Sequence, residues 1–297
     1  MSKNITINKS KLIRLRGFTL VELLIAMTLG FFLIAGVGTV YIGSKKTYKL
    51  QAQVAELDEN ARHAMRALKQ HIAHAGYASS TGVVLDNYII PTGTDLAALE
   101  ATCSDGVSNV SSMGPIAASF DGAGLAGDTI GLAFMADGSL ASDCTGGVLR
   151  SECLPPDAPS VEARLIYNSF SVGNSANRNS IKGLVPMLRC GGSRNASRQD
   201  MARGVENIQF LYGVDFNGDG SVDNYWNATT VDNSPVYAWG KIISVRVGLL
   251  VRSVEPVFDD NLEVTYQVLD QNITKTDRFK RGVYTTTVRL KNVARRF

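Results

Sequence analysis

Residues 16–24 read Arg16-Gly17-Phe18-Thr19-Leu20-Val21-Glu22-Leu23-Leu24, and this stretch decides the architecture. An apolar run starts abruptly after a glycine and carries one carboxylate at its fifth place. From Phe18 to Tyr41 the only charged residue is Glu22. Twenty-four helical residues cover roughly 36 Å, enough to cross the hydrocarbon core of a bilayer with some tilt. Residues 18–41 therefore read as a transmembrane helix. A carboxylate is costly in lipid and finds a polar or charged partner within a protein bundle, so Glu22 marks a function.

Residues 1–17 hold Lys3, Lys9, Lys11, Arg14 and Arg16 and no acid. That bias keeps this end in the cytoplasm and sends the bulk of the chain across the membrane. A secretory signal has a shorter apolar region followed by a small-residue cleavage site, whereas here the small residue, Gly17, comes first. A cut at Gly17 removes the basic leader and leaves the anchor in place. Gly30, Gly36, Gly38 and Gly43 permit close helix approach in and just beyond the span.

Gly17-Phe18-Thr19-Leu20-Val21-Glu22-Leu23-Leu24 resembles the class III signal of type IV pilins and pseudopilins, which a prepilin peptidase cuts after the glycine before methylating the new amine. The resemblance implies a mature chain of residues 18–297, processed between Gly17 and Phe18. With that amine free, the Glu22 of an incoming subunit can pair with the Phe18 amine of its neighbour and fix the register of helix against helix. Many filament pilins carry a proline in this span, and this chain has none.

Beyond the span, Leu50, Val54, Leu57, Ala61, Ala64, Leu68, Ile72 and Ala75 recur at spacings of three and four, one apolar stripe of a helix. Gly76 is a natural stop. Residues 42–76 are thus the periplasmic, amphipathic half of the same helix, and a rod from Phe18 to Gly76 has a length of about 88 Å.

Residues 77–297 change character. Val, Ile, Tyr and Thr gather in Thr129–Met135, Val161–Val172, Val205–Val214, Lys241–Arg252 and Tyr284–Val293, separated by turn residues. Residues 79–127, rich in Gly, Ser, Ala and Asn, read as a long irregular excursion. The expected class is α+β: a long N-terminal helix packed on a mainly antiparallel, pilin-like head of one domain.

The leader holds five of the 30 basic residues and none of the 27 acidic ones, so the processed chain is slightly acidic and nucleic acid is not an expected partner. Cys103, Cys144, Cys153 and Cys190 lie in the head, on the oxidising side of the membrane, and favour two disulfides with three possible connectivities. The short loop between Cys144 and Cys153 is entropically the easiest to close. No Cys-x-x-Cys pair suggests zinc or redox chemistry.

Asp215-Phe216-Asn217-Gly218-Asp219-Gly220-Ser221-Val222-Asp223 alternates oxygen side chains at 215, 217 and 219, with a main-chain carbonyl at Ser221 and a further acid at Asp223. A hard cation such as calcium takes such a ligand order, and three crowded carboxylates would repel one another without one. The bidentate Glu of a helix-loop-helix hand is absent, Trp226 standing in its place, and the flanks read as strands. A plain hairpin turn is the competing reading, since Asn-Gly and Asp-Gly both signal one.

Enzyme motifs fare poorly. Gly122-Ala123-Gly124-Leu125-Ala126-Gly127 has dinucleotide spacing but is followed by a strand where a helix should begin. The three histidines, His63, His71 and His74, lie on the long helix, so none stands in the head to serve a nucleophile.

Gly204–Asp215, Val245–Arg252 and Tyr284–Asn292 resemble the matching blocks of PilW-type minor pilins of type IV pilus assembly. The resemblance implies a non-enzymatic subunit of the inner membrane, later of the pilus surface, that joins other minor pilins, the major pilin and a PilY-type adhesin in a priming complex at the tip. A pseudopilin of type II secretion shares the leader, helix and calcium loop. A membrane-anchored, calcium-dependent adhesive protein outside any filament is a third reading.

Overall fold

The computed structural model describes residues 17–78, 85, 88–94, 118–122, 127–137, 139–149, 165–174, 184–194 and 197–293. Cys103, Cys153, the expected strand residues 161–164 and most of the 79–127 excursion lie outside them. The chain divides into two compact units, Met1–Leu50 and Gln51–Phe297.

Helix α1 runs Leu20–His74, 55 residues. Its portion in the first unit is long and apolar enough to cross a membrane by length and composition, and none of that apolar window is buried. In the second unit the stripe does what its spacing implies: Leu57, Ala61, Ala64, Leu68 and Ile72 are buried. Val54 is half-buried, and Leu50 is 37% exposed, so the docking face begins later than the periodicity does. The helix stops where expected. Gly76 takes φ +75°, a left-handed conformation that glycine adopts without strain, and its N–H donates to Ala133 O at 3.0 Å. The Asn292 side-chain amide donates to Ala73 O at 2.9 Å, satisfying a carbonyl that the helix end leaves open.

Ten strands follow. β1 (Ile130–Met135), β2 (Leu165–Asn174), β3 (Pro186–Gly192) and β4 (Gln199–Arg203) form one antiparallel sheet in sequential order. β5 (Val205–Val214), β6 (Asn224–Trp226), β7 (Ile242–Arg252) and β10 (Arg281–Arg289) form a second, ordered β10-β7-β5-β6 and again antiparallel. β8 (Leu262–Val268) and β9 (Gln271–Asp277) make a separate hairpin. A short helix α2 (Ala228–Asp232) and a 3-10 turn (Trp239–Lys241) link β6 to β7. The α+β expectation is met.

A single residue, Gly204 at φ +80°, separates β4 from β5 and passes the chain from one sheet to the other. A Cβ there would lie 2.5 Å from Arg252 O, so the corner excludes any side chain. Both sheets then share one core with α1: Leu68 and Ile72 pack in the same cluster as Ile130, Phe170 and Leu188 of the first sheet and Phe210, Val247 and Leu249 of the second.

The strands read from apolar runs are present, with β10 beginning three residues earlier and ending sooner than expected. β3, β4, β8 and β9 gave no such signal, and β6 was legible only as the strand flank after the acidic loop. β3 opens with Pro186 and ends in glycines, β4 is mostly polar, β6 is three residues long, and the β8–β9 hairpin is largely exposed. That hairpin is tied down by charge. The buried Arg281 guanidinium donates to Glu206 at 2.6 Å and to Asp277 at 2.5 Å, and Lys275 lies 3.4 Å from Glu206.

One disulfide is described, Cys144–Cys190, with Cα atoms 6.3 Å apart and a sequence separation of 46. The short loop to Cys153 is therefore not the one Cys144 closes. Cys190 sits on β3, and the turn bearing Cys144 is held beside it, the Cys144 N–H donating to Asn168 Oδ1 of the neighbouring β2 at 2.9 Å. Proximity fixed by strand pairing outweighs the entropy of the shorter loop.

Leu68→Ala should lower the stability of the detergent-solubilised chain by about 2–5 kcal/mol, whereas Leu50→Ala on the same stripe should change it by less than about 0.5 kcal/mol. Thermal melting followed by near-ultraviolet circular dichroism checks both.

Candidate functional site

Two regions carry the residues singled out in the sequence. The first is the start of α1. Gly17, Phe18 and Thr19 precede the helix, and Phe18 is almost wholly exposed. Thr19 and Glu22 bond reciprocally: the Thr19 N–H and hydroxyl both donate to Glu22 Oε2 at 2.9 Å, and the Glu22 N–H donates to Thr19 Oγ1 at 3.3 Å. This is a capping box, Thr-x-x-Glu, which satisfies donors that the first helical turn leaves open. Its spacing was readable in the sequence beside the membrane argument for Glu22. The box uses one carboxylate oxygen; Oε1 has no partner among the described residues.

The second is the loop 215–223, which joins β5 to β6 as expected of strand flanks, with Val214 paired to Asn224. Asp215 is buried, its Oδ1 accepting the Gly218 N–H at 2.7 Å and its Oδ2 the Gly220 N–H at 2.8 Å. Asn217 Oδ1 accepts from the Asp219 N–H at 2.9 Å, and Asp219 Oδ1 from the Ser221 N–H at 2.7 Å. Asp223 Oδ2 accepts the Phe216 N–H at 2.7 Å. The Ser221 N–H and the Asn217 amide hold the Asp219 carboxyl below its ordinary range.

The donor set has the chemistry for a hard cation, and each carboxylate oxygen keeps a second lone pair. In this arrangement its oxygens are turned onto the loop's own N–H groups. Among the described residues no three acidic, histidine or cysteine side chains gather as a metal-holding group. The loop is also gripped from outside: Lys241 Nζ donates to Phe216 O and Arg289 Nη2 to Gly220 O, each at 3.0 Å. Those cations stand 25 and 69 residues away from their acceptors. No local pattern in the sequence could have announced them.

Of the cysteine candidates, Cys144 and Cys190 are brought together. His71 and His74 lie on the buried side of α1, with their rings against Phe170 and Phe134 respectively. Burial, reinforced by His74 and partly opposed by Asp143, pushes the His71 imidazole down to about 4. The contribution of a neutral buried imidazole is complete above its unfolded value near 6.5 and is lost as pH falls towards 4.

Asp128 acts in the opposite sense. It is buried beside β5, accepting the Phe210 N–H at 2.8 Å and the Gly122 N–H at 3.1 Å. Burial pushes its carboxyl up to about 7 against those hydrogen bonds. The folded chain therefore binds this proton more tightly than the unfolded chain between about pH 4 and pH 7, and stability from Asp128 grows as pH falls through that window.

Residues 169–292 match the family model described as Type IV Pilus-assembly protein W, and residues 14–38 match the Prokaryotic N-terminal methylation motif. The two matches bear out the resemblance to PilW-type pilins drawn from the sequence. A solved structure, a type IV-like pilin from Thermus thermophilus, aligns with 80% of this chain and 97% of its own at 11% identity and a TM-score of 0.37. No curated protein matches the chain.

Asp128→Asn should make the chain lose more stability than the unaltered protein between pH 7 and pH 4.5, by roughly 1–3 kcal/mol. Chemical denaturation at a series of pH values reads the difference in slope.

Proposed function

We propose that this chain, PilW-like in its leader and its head, is a minor pilin: a non-enzymatic subunit that helps prime a type IV pilus. A prepilin peptidase cuts after Gly17, residues 18–41 hold the subunit in the inner membrane with its head in the periplasm, and the Phe18 amine becomes available to a neighbour. The observation that carries the reading is the Glu22 carboxylate. Thr19 fixes one of its oxygens at the head of α1 and leaves the other open, so the carboxylate is oriented before a partner arrives. An amine from an adjoining helix would supply the charge that a carboxylate in lipid lacks.

What favours a pilus over a secretion apparatus is the match of residues 169–292 to a pilus-assembly family. Other minor pilins and the major pilin are the partners this role requires, and a PilY-type adhesin is the partner expected of a subunit at the tip. The match of residues 14–38 to the methylation motif supports the processing step.

The proposal extends to the loop after β5. There Asp215, Asn217, Asp219, the Ser221 carbonyl and Asp223 would hold a calcium ion, and what supports this is their order along the chain. Calcium would neutralise three clustered carboxylates and stiffen the turn.

In sheared pili the unaltered chain should be present and should begin at a methylated Phe18. Glu22→Ala should be cut normally yet be missing from the filament fraction. Normal incorporation of that variant, or a native polypeptide still beginning at Met1, would sink the assembly reading. For the loop, calorimetric titration of the detergent-solubilised chain with calcium should give saturable heat at one site. A hundredfold excess over Kd should add about 2.7 kcal/mol of stability, and Asp219→Ala should remove both effects. Absence of heat and an unchanged melting temperature would leave a metal-free hairpin.

A further inference from the structure

Three cations reach one cavity, and the single carboxylate among its described lining residues is turned to backbone N–H groups. A cleft of about 690 Å³ lies between the loop 215–223, the 3-10 turn Trp239–Lys241 and the end of β10, and its lining includes Lys241, Arg289 and Lys291. Lys241 and Arg289 each give one hydrogen bond to a loop carbonyl. Lys291 is exposed and has no partner among the described residues. None of the three forms an ion pair among those residues, whose ion pairs engage other side chains. Asp215, the one carboxylate among the described lining residues, has both oxygens turned to the Gly218 and Gly220 N–H groups.

Two ammonium groups and a guanidinium around one cleft raise its potential and favour an anion there. Lys241 and Arg289 retain unused donors after their carbonyl bonds, since an ammonium has three and a guanidinium five. The lining is not purely polar. Ile243, Leu290 and Val293 contribute an aliphatic surface, and Phe216 and Tyr237 contribute rings. A lone inorganic anion would satisfy the cations and leave that surface uncovered. The volume lies within the range of ligand-binding clefts and admits a short stretch of chain.

We propose that this cavity binds an acidic peptide segment of a partner protein, with carboxylates on Lys241, Arg289 and Lys291 and an adjoining aliphatic side chain against Ile243 and Leu290. Recognition of acidic motifs by clustered cations is an established mode of peptide binding. The site stands on the charges and shape of the head and does not depend on assembly through Glu22.

Fluorescence anisotropy of the full chain in detergent micelles, with a labelled pentapeptide of alternating glutamate and leucine, tests it. Binding should be saturable, should weaken as salt is raised, and should be absent for the same peptide with glutamine in place of glutamate. Lys291→Glu should weaken it by about fivefold or more while leaving the melting temperature unchanged, and Arg289→Gln should weaken it as well. Equal binding of the glutamate and glutamine peptides would overturn the proposal, and so would affinity unmoved by both substitutions. Displacement by free glutamate at concentrations near the peptide's own Kd would also overturn it, because the cavity would then hold a single carboxylate and not a chain segment.

Discussion

Burial of one narrow helix face holds the head together. Ala61, Ala64, Leu68 and Ile72 are fully buried and contact a core to which both four-stranded sheets contribute. Small residues at 61 and 64 let the helix lie close to the strands, and the two larger ones fill the space beyond them. Neither sheet could cover its apolar face without that helix, and the face would have nothing to bury against without the sheets. The Gly76 turn and the Asn292 clasp end the helix where the last of these contacts is made.

Around that core, the connections are fixed by close approach and by charge. Gly204 allows β4 to turn into β5 within one residue, because no Cβ stands between it and Arg252 O. Arg281 lies buried between Glu206 and Asp277 and ties the exposed β8–β9 hairpin to the start of β5. A two-stranded hairpin is marginal by itself. Its tip rests on β7, where Leu269 lies so close to Gly248 that an added Cβ would come within 2.8 Å of Leu269 Cγ. Removing one partner of the buried Arg281 network would leave an uncompensated charge, which costs far more than an exposed pair is worth.

The acidic loop shows how one sequence feature can meet several answers. Its carboxylates are crowded, and the chain relieves the crowding by turning their oxygens onto backbone N–H groups and by bringing Lys241 and Arg289 to the loop's carbonyls. The same two cations then face a cleft that they share with Lys291. Loop and cleft are thus one electrostatic unit, negative on the turn and positive beside it.

The sequence by itself determined what depends on neighbours a few places apart. The basic leader and the apolar run that starts at Phe18 are legible in the sequence. The three-four spacing of α1, its stop at Gly76 and the apolar runs of β1, β2, β5 and β7 follow from local periodicity and turn chemistry, and the structure keeps these. The Thr19–Glu22 box was equally local, and its spacing lay in view. Only the tertiary structure decided the choice of Cys190 for Cys144, the pairing of polar strands such as β4 and β9, the Asn292 clasp, and the gathering of Lys241, Arg289 and Lys291 at one cleft. The disulfide, the clasp and the cleft join residues tens to hundreds of positions apart, and a side chain carries no mark of a partner that only chain closure brings near. The polar strands pair with near neighbours but lack the apolar run that would announce them. Burial sets which faces must meet, and the meeting then selects the polar contacts.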